Sequence, residues 1–278
     1  MYVKSILSSL INGVRVDTME VRFPRIILPE FNTHRVFSRN FQSSRAKPIL
    51  KVIEQDLTYT PSDYGWRKNA KGMSPSELFS DNESYVLKNI WLRSKESAID
   101  EAIKLHELGV AKEIVNRLLE PFMEVTGVVT STNWNNFFEL RCHQSAQTEI
   151  RVLANIMKDT YKQTKPVERD FHLPYIQDGN CFSREHLIQQ IKQSVARCAR
   201  VSYYSFDKKE SELEKDIELF NRLRESKHLS PFEHVVLSGE MFDKLFPEVY
   251  ERNIDSFNGN FSTGVIQFRK LIENSFTT

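Results

Sequence analysis

Residues 14–23 read VRVDTMEVRF, and in this stretch apolar and polar side chains alternate. Alternation with a period of two is typical of a strand that buries one face, so the pattern predicts a half-buried β-strand. Residues 24–34 then favour a short helix, because a proline is tolerated in the first turn of a helix. Residues 47–81 contain several prolines, glycines and serines, and they predict a long surface loop.

Helical periodicity begins in the middle of the chain. From Ser94 onward, apolar side chains recur three and four residues apart, which predicts a helix. Gly109 is expected to interrupt this helix, because glycine costs about 1 kcal/mol relative to alanine in a helix interior. Ile114 and Leu118 predict that the same buried face continues as far as residue 121.

Further helices and a second strand complete the pattern. Helices are predicted from Ala146 and from Ser183, and Ser211 with Glu214 resembles a capping box that begins another. The stretch HVVLSGEMF at 234–242 predicts a second strand. A strand, several helices and another strand in this order indicate an α+β fold.

The bulk composition argues against several classes of protein. There are 38 basic and 37 acidic residues, so no overall field would attract nucleic acid or a membrane surface. Cys142, Cys181 and Cys198 are too few and too widely spaced for a disulfide framework or a cysteine-rich zinc site. The N-terminal residues show neither a spanning segment nor a signal-peptide pattern. We therefore expect a cytoplasmic protein with no membrane or nucleic-acid partner.

The first polar cluster lies at residues 32–45. It holds three arginines, three serines and a histidine, with no acidic residue among them. Arginine offers a rigid fork of donors that suits phosphate, and serine hydroxyls with loop N–H groups can complete an anion site. The alternative is an ordinary solvated basic loop.

The second cluster contains Arg141, which lies among aromatic residues just before the helix predicted from Ala146. A cation in this position either binds a ligand anion or pairs with Glu139 or Glu149. The residues alone leave both interpretations open.

The third cluster joins ARVSY at 199–203 to HLSPFEH at 228–234. Two histidines and a glutamate suggest a metal site, but their spacing does not match a helical zinc motif and no further ligand is evident. We therefore expect no metal. The patterns GxGxxG, GxxxxGKS, GxSxG and HExxH are absent from the sequence, which excludes the simplest forms of several common enzyme sites.

Together these segments resemble the flavin-dependent thymidylate synthases, a family distinct from the folate-only thymidylate synthases. That family carries ARVSY, then H-x-S/T-PFEH, then RHR with S-x-N-E-x-S-x-R, and finally LR with AQ-x-EI. The corresponding stretches here are ARVSY at 199–203, HLSPFEH at 228–234, THRVFSRNFQSSR at 33–45 and LRCHQSAQTEI at 140–150, while GVAKEIVNRLLEP at 109–121 resembles a fifth family segment. Each motif is weak alone, but five in one chain are a specific signal.

The order of the motifs differs from that of the family. The block at 195–240, with ARVSY and SPFEH, comes last here, whereas family members carry it first. The chain therefore resembles a circularly permuted member with residues 1–278 in a single domain. The resemblance implies the family's α+β fold, in which a central antiparallel or mixed sheet packs against several helices. Folds tolerate such reordering where the chain termini lie close together at the surface.

The resemblance also implies roles for individual residues. Those expected to contact the flavin FAD are His34, Arg35, Val36, Asn133, Ser202, His228, Ser230 and Glu233. Those expected to bind a nucleotide are Ser43, Ser44, Arg45, Arg117 and Arg141. The two expected to act in catalysis are Arg141, which would stabilise an electron-rich pyrimidine ring, and Ser43, which would anchor the phosphate beside Arg45. Ser43 is not expected to be a nucleophile, because no base partner for it is visible.

Three positions depart from the family pattern. Thr33 replaces the first arginine of RHR, Phe41 replaces the glutamate of S-x-N-E, and Glu30 stands at an upstream glutamine. Because the lost glutamate faces the nucleotide in the family, base or sugar recognition is expected to differ. We hypothesise that Gln267 and Arg269, which follow the SPFEH segment, replace the missing nucleotide-binding residues.

The implied reaction transfers a one-carbon unit from methylenetetrahydrofolate to carbon 5 of dUMP, giving dTMP, with NADPH as reductant. Two alternatives stay open: methylation or hydroxymethylation of dUMP or another pyrimidine deoxynucleotide monophosphate such as dCMP, and a non-catalytic nucleotide-binding relative. The family implies a homotetramer with shared active sites. A compact chain with a reordered block would also suit a viral genome.

Overall fold

The computed structural model describes residues 1–71, 77–176, 183–202, 212–247 and 254–275. Within these ranges, five strands form the larger sheet in the order β3-β4-β2-β1-β5. They are β1 (Tyr2–Ile11), β2 (Val14–Pro24), β3 (Ser38–Phe41), β4 (Glu124–Ser131) and β5 (Val167–Glu168). Only β1 and β5 pair in parallel, so the sheet is mixed. The strand predicted at 14–23 is confirmed as β2, but the expectation of one exposed face was wrong, because the consecutive residues 16–19 are all buried.

A tight hairpin joins the first two strands. Asn12 and Gly13 have φ values of 49° and 78°, and Ile11 pairs with Val14 across the turn. Positive φ at both central residues is the requirement of a type I′ turn, which asparagine and glycine meet with the least strain. This turn fixes the register of β1 and β2.

Ten helices occur in the described residues, besides several 3₁₀ turns. They are α1 (Leu28–Phe31), α2 (Ile49–Gln55), α3 (Asp81–Glu107), α4 (Lys112–Val115), α5 (Asn135–Arg141), α6 (Thr148–Gln163), α7 (Arg184–Arg200), α8 (Leu213–Glu225), α9 (Gly239–Leu245) and α10 (Phe268–Ser275). The predicted short helix at 24–34 is present as a 3₁₀ turn followed by α1. The helices expected from Ala146 and Ser183 correspond to α6 and α7. Helices packed around a mixed sheet confirm the α+β class.

The prediction of a surface loop at 47–81 was wrong for much of its length. The segment contains α2, and Ile49, Val52 and Tyr59 are almost fully buried. Ile49 and Val52 pack in one apolar cluster with Val115 and Leu119. These partners lie more than 60 positions away in the sequence, so local composition gave no sign of the burial.

The helical phase at 112–121 was also predicted wrongly. Ile114 and Leu118 are 59% and 43% exposed, whereas Val115 and Leu119 are buried. The preceding helix starts at Asp81, earlier than expected, and ends at Glu107 before Gly109, whose φ is +81°. The chain restarts as α4 and a 3₁₀ turn, and this restart shifts the buried face by one residue.

The C-terminal part forms a second, smaller sheet. Its strands are β6 (Phe171–His172), β7 (Val236–Leu237) and β8 (Ile266–Gln267), paired antiparallel in the order β6-β7-β8. The strand expected at 234–242 is therefore only two residues long. Ser238 ends it, because its side chain accepts a hydrogen bond from the Met241 N–H and caps α9.

The start of α8 differs from the predicted capping box. Ser211 lies outside the described residues, and α8 begins after Glu212. Leu213 is 39% exposed, whereas Leu219 and Phe220 are buried. In the part of the chain that the structure describes, no helix is long and apolar enough to cross a membrane.

Candidate functional site

The connection between α1 and β3, residues 32–37, is held in shape by Arg39. Its guanidinium donates to the backbone carbonyls of Asn32, His34 and Phe37, each at 3.0 Å. Backbone carbonyls in a connecting loop need such donors when the loop is not solvated. Arg39 therefore fixes the loop that carries His34 and Arg35, whereas the sequence analysis counted it only as one of three arginines of a possible anion site.

The first cavity, cavity A, has a volume of about 520 Å³. Its walls are formed by Arg35, Phe37, Arg39, Ser230, Glu233, Gly259, Asn260, Gln267, Arg269 and Lys270. The cavity thus gathers three residues expected at the flavin, namely Arg35, Ser230 and Glu233. It also contains Gln267 and Arg269, which were expected at the nucleotide.

Asn40 connects the ARVSY and SPFEH segments to the sheet. Its side-chain N–H donates to the hydroxyl of Ser202 at 3.1 Å and to the carbonyl of Cys198 at 3.1 Å. Its side-chain oxygen lies 3.4 Å from the hydroxyl of Ser230. Asn40 is itself buried on β3, so residues from three distant segments meet beside cavity A.

Val36, Asn133 and His228 do not line this cavity. Val36 is 38% exposed, and the other two side chains are also exposed. The Asn133 oxygen accepts the N–H of Asn135 at 3.2 Å, which shapes the start of α5. These three predicted flavin contacts therefore lie on the surface of the single chain.

Gln267 and Arg269 have definite partners within the chain. Gln267 is buried, and its amide donates to the Ser38 hydroxyl at 3.0 Å and to the Asn260 side-chain oxygen at 2.8 Å. Arg269 forms ion pairs with Glu233 and with Glu273. Both residues thus contribute to the wall of cavity A and lie apart from Arg141.

The second cavity, cavity B, has a volume of about 640 Å³. It is lined by Glu30, Pro61, Gly65, Trp66, Arg67, Leu140, Arg141, Gln144, Ser145, Ala146, Gln147, Thr148 and Glu149. Arg141 forms an ion pair with Glu30 here. The expected pairing with Glu139 or Glu149 is therefore replaced by a partner from α1, and Glu149 instead accepts from the Tyr59 hydroxyl at 2.7 Å.

His34 is bonded to one arginine from each cavity. Its backbone carbonyl accepts from Arg39 of cavity A, and its ring accepts from Arg141 of cavity B. Its Nε2 accepts from the Nε–H of Arg141 at 2.9 Å, so the ring is neutral with its proton on Nδ1. Burial, together with the positive charges of Arg141 and Arg39, lowers the pKa of His34 from its usual 6.5 to about 4. At neutral pH His34 is an uncharged acceptor that orients Arg141.

The expected phosphate residues form a third region. Asn116 is fully buried and donates to the carbonyls of Ser44 at 2.6 Å and Lys47 at 3.0 Å. It thereby holds the turn that carries Arg45 next to the one that carries Arg117. Both arginines are exposed, and neither forms an ion pair with another described residue. Their charges are available to an anion.

Position 41 does not contribute to either cavity. The Phe41 ring is partly buried and packs against the apolar cluster that contains Phe23 and Phe31, with ring centroids 5.4 Å and 5.5 Å away. It pairs across β3 and β4 with Gly127. The residue that replaces the family glutamate is therefore a packing residue in this chain.

Sequence reasoning missed several residues of these sites. Ser38 and Asn40 stand at the S-x-N positions of the quoted motif, so the motif itself could have identified them. Trp66 and Asn260 carry no local signal, because only the tertiary fold brings them to the cavities. Among the described residues, no group of three His, Cys, Asp or Glu side chains is placed to hold a metal ion.

Comparison with known proteins gave one family match. The sequence model of the Thy1 family, described as thymidylate synthase complementing protein, matches residues 13–167, which is more than half of the chain. A flavin-dependent thymidylate synthase of Wolbachia pipientis wMel is 25% identical over 171 residues, covering 60% of this chain and 58% of that protein. One from Aquifex aeolicus (strain VF5) is 30% identical over 153 residues, covering 51% and 44%. This chain thus spans about half the length of these relatives.

Two solved structures are also similar to the chain. Both are of the UMP/dUMP methylase PolB from Streptomyces cacaoi. The form bound with 5-Br dUMP is 22% identical with a TM-score of 0.46, covering 55% of this chain and 68% of that one. The form bound with 5-Br UMP is 17% identical with a TM-score of 0.49, covering 58% and 88%.

Proposed function

Since this chain belongs to the Thy1 family, we propose that it is a flavin-dependent enzyme that transfers a one-carbon unit to carbon 5 of dUMP. The donor is methylenetetrahydrofolate, the product is dTMP, and NADPH is the reductant. The observation that carries the proposal is the joining of Ser202 and Ser230 through Asn40 beside cavity A. Motifs far apart in the sequence converge there, and His34 connects that region to Arg141.

The residues of cavity A suit a flavin dinucleotide. Its volume of about 520 Å³ falls within the range of about 300–1,000 Å³ that is usual for cofactor sites. Arg35, which forms no ion pair with another described residue, is a cation suited to a diphosphate, and Ser230 offers a hydroxyl to polar groups of the ligand. Arg269 and Lys270 add positive charge that Glu233 and Glu273 partly balance. When bound, the flavin supplies the redox chemistry that side chains lack.

Arg141 is the residue proposed to act on the pyrimidine ring. It is held by Glu30, His34 and Thr33, so its guanidinium has a fixed position at the wall of cavity B. A preorganised cation stabilises negative charge that develops on the ring without having to reorient. Loss of one such donor typically costs about 3–4 kcal/mol in transition-state stabilisation.

The phosphate is proposed to lie at the third region. Arg45 and Arg117 supply the unpaired charges, while Ser43 and Ser44 on the adjoining turn supply hydroxyls or N–H groups. Ser43 thereby anchors the substrate and does not attack it. We further propose a cytoplasmic homotetramer with shared sites, which accounts for flavin-contact candidates on the outer surface of one chain.

A specific feature favours dCMP as a second candidate substrate. Glu30 lies in cavity B beside Arg141, and a carboxylate can only accept hydrogen bonds. The exocyclic amino group of cytosine is a donor that pairs well with a carboxylate. A cytosine nucleotide, methylated or hydroxymethylated at carbon 5, therefore fits the same site.

The proposal is tested by an anaerobic reaction of the purified protein with FAD, NADPH and methylenetetrahydrofolate. dUMP and dCMP are offered separately and products are identified by mass. We expect methylated dUMP, and we expect Arg141→Gln to lower the rate at least about a hundredfold. Arg93→Gln, an exposed arginine of α3, is the matched control and should leave the rate unchanged. A protein that takes up no FAD and yields no product from either nucleotide would contradict the proposal.

A further inference from the structure

Five polar side chains form a continuous buried chain between the two sheets. They are Ser9 on β1, Thr18 on β2, Thr130 on β4, His172 on β6 and His234 at the end of the SPFEH turn. Each of the five residues has no exposed surface. Buried polar groups that are linked in this way usually specify one arrangement of the surrounding backbone.

Consecutive hydrogen bonds join the five side chains, and each of them is short. Ser9 Oγ lies 2.8 Å from His172 Nδ1, and His172 Nε2 lies 2.7 Å from Thr18 Oγ1. The Thr18 and Thr130 hydroxyls are 2.6 Å apart, and Thr130 Oγ1 lies 2.8 Å from His234 Nδ1. Burial lowers the pKa of both histidines to about 3, so both rings are neutral at pH 7.

Because both histidine rings are neutral, the donors and acceptors along this row of hydrogen bonds can be arranged in two directions. A neutral imidazole donates from one nitrogen and accepts at the other, and each hydroxyl donates once. Either His234 Nδ1–H donates and every link points toward Ser9, or Ser9 donates and every link points toward His234. In both directions the only link of the His234 ring is Nδ1 to Thr130, because no described group lies in hydrogen-bond reach of its Nε2.

The SPFEH turn is fixed at both ends. Ser230 lies against Asn40 at its start, and His234 is bound to Thr130 at its end. Ser230 and Glu233, between or at these anchors, form part of cavity A. The position of the Glu233 carboxylate therefore depends on a hydrogen bond made one residue later inside the sheet.

We propose that Thr18, Thr130 and His172 are positioning residues for the ligand of cavity A. They act through His234 on Ser230 and Glu233 and do not themselves touch the ligand. The part of this inference that names a flavin rests on the proposed function. Neither threonine nor His172 belongs to any of the family motifs found in the sequence.

The test compares Thr130→Val, which keeps the side-chain shape and removes the hydroxyl, with Thr130→Ser, which keeps the hydroxyl. Thr126→Val on the same strand is the matched control, because the Thr126 side chain makes no hydrogen bond to a described residue. Binding of FAD is measured by fluorescence titration. The histidine ring ¹⁵N signals are recorded without flavin, and thermal unfolding checks that each variant is folded.

We expect Thr130→Val to weaken FAD binding about tenfold and to change the ring ¹⁵N signals of His234, because the hydroxyl is lost together with its two buried hydrogen bonds, to His234 and to Thr18. Thr130→Ser and Thr126→Val should leave both unchanged. If Thr130→Val fails to fold, Thr18→Val, one link further from His234, should give the same changes at smaller size. Unchanged FAD affinity and His234 signals in a folded valine variant would overturn the inference. A wild-type protein without FAD affinity refutes the proposed cofactor, while the ¹⁵N signals still decide whether Thr130 fixes the ring of His234.

Discussion

At the scale of single residues, Glu30 is one of the positions where this chain departs from the family pattern. It pairs with Arg141 while both side chains remain partly exposed to cavity B, at 29% and 19%. We expect Glu30→Gln to favour dUMP over dCMP, because an amide can also donate to a ring carbonyl and no longer neutralises Arg141. The ratio of the two dissociation constants should change roughly five- to thirtyfold, which corresponds to about 1–2 kcal/mol in the difference between the two binding free energies.

Isothermal titration of each nucleotide measures this ratio. Glu139→Gln is the control, because Glu139 is exposed on α5 and lines neither cavity. A ratio that stays the same in Glu30→Gln would show that Glu30 does not face the base. An equal change in both variants would assign the effect to net charge alone.

The same pair shows how far the sequence determines the site. Arg141 was found from its motif, but its partner was expected at Glu139 or Glu149, which lie nearby in the sequence. Glu30 is 111 positions away and reaches Arg141 only because the fold brings α1 near α5, where the rings of Phe31 and Phe137 lie 5.5 Å apart. A motif thus predicts which residue acts, whereas its electrostatic partner depends on tertiary contacts.

At the scale of elements, the pairing of β3 with β4 accommodates Phe41. A Cβ atom added to Gly127 would lie 2.1 Å from Cδ1 of the Phe41 ring, a separation that real atoms do not adopt. We expect Gly127→Ala to destabilise the protein by about 1–3 kcal/mol, because it overpacks a full core. Urea unfolding measures the loss.

A double variant separates this contact from a general backbone effect. Phe41→Leu replaces the ring with a smaller side chain and makes room for the new methyl group. The loss in Gly127→Ala should therefore be smaller in the Phe41→Leu background than in the wild type. Equal losses in both backgrounds would mean that the two side chains do not interact.

Helices and strands whose apolar residues recur with a regular spacing were predicted well. Those that are stabilised mainly by packing against distant parts of the chain were not. β2, α6 and α7 carry long amphipathic patterns, and these are local properties of the sequence. α2 carries only seven residues inside a proline- and glycine-rich stretch, and it is stabilised by burial of Ile49 and Val52. Such a short helix depends on tertiary packing, which composition does not reveal.

At the scale of the whole molecule, the SPFEH block packs against the hairpin of β1 and β2, where the family-matched region 13–167 begins. Val236 of β7 shares one apolar cluster with Ile11 and Val16. The end of the block thus lies beside the start of β2, as expected if the two were once joined in sequence. This contact supports the proposed permutation and the proposal that the chain is a single domain.

Acid should unfold this domain in one step, because its buried histidines connect both sheets. The pKa values of His172 and His234 are lowered to about 3, whereas an unfolded histidine titrates near 6.5. Between these values the unfolded chain binds more protons, so the free energy of unfolding falls as the pH falls below 6.5. Each histidine should remove about 2 kcal/mol at pH 5.

Urea unfolding at pH 7.5 and pH 5 tests this expectation. The free energy of unfolding should drop by about 4 kcal/mol from His172 and His234, with a further loss from His34, whose pKa is lowered to about 4. Fluorescence and circular dichroism should report the same transition. His172→Gln should make the drop smaller by about 2 kcal/mol, since it removes one of the buried rings whose pKa is lowered. His106→Gln, an exposed histidine on α3, should leave the drop unchanged.

If the two probes report different transitions, the two sheets unfold independently and the single-domain proposal is wrong. If His172→Gln retains the full drop, the loss of stability arises elsewhere. A histidine lowers the stability in acid only when it is buried and neutral in the folded protein and binds a proton once the chain unfolds.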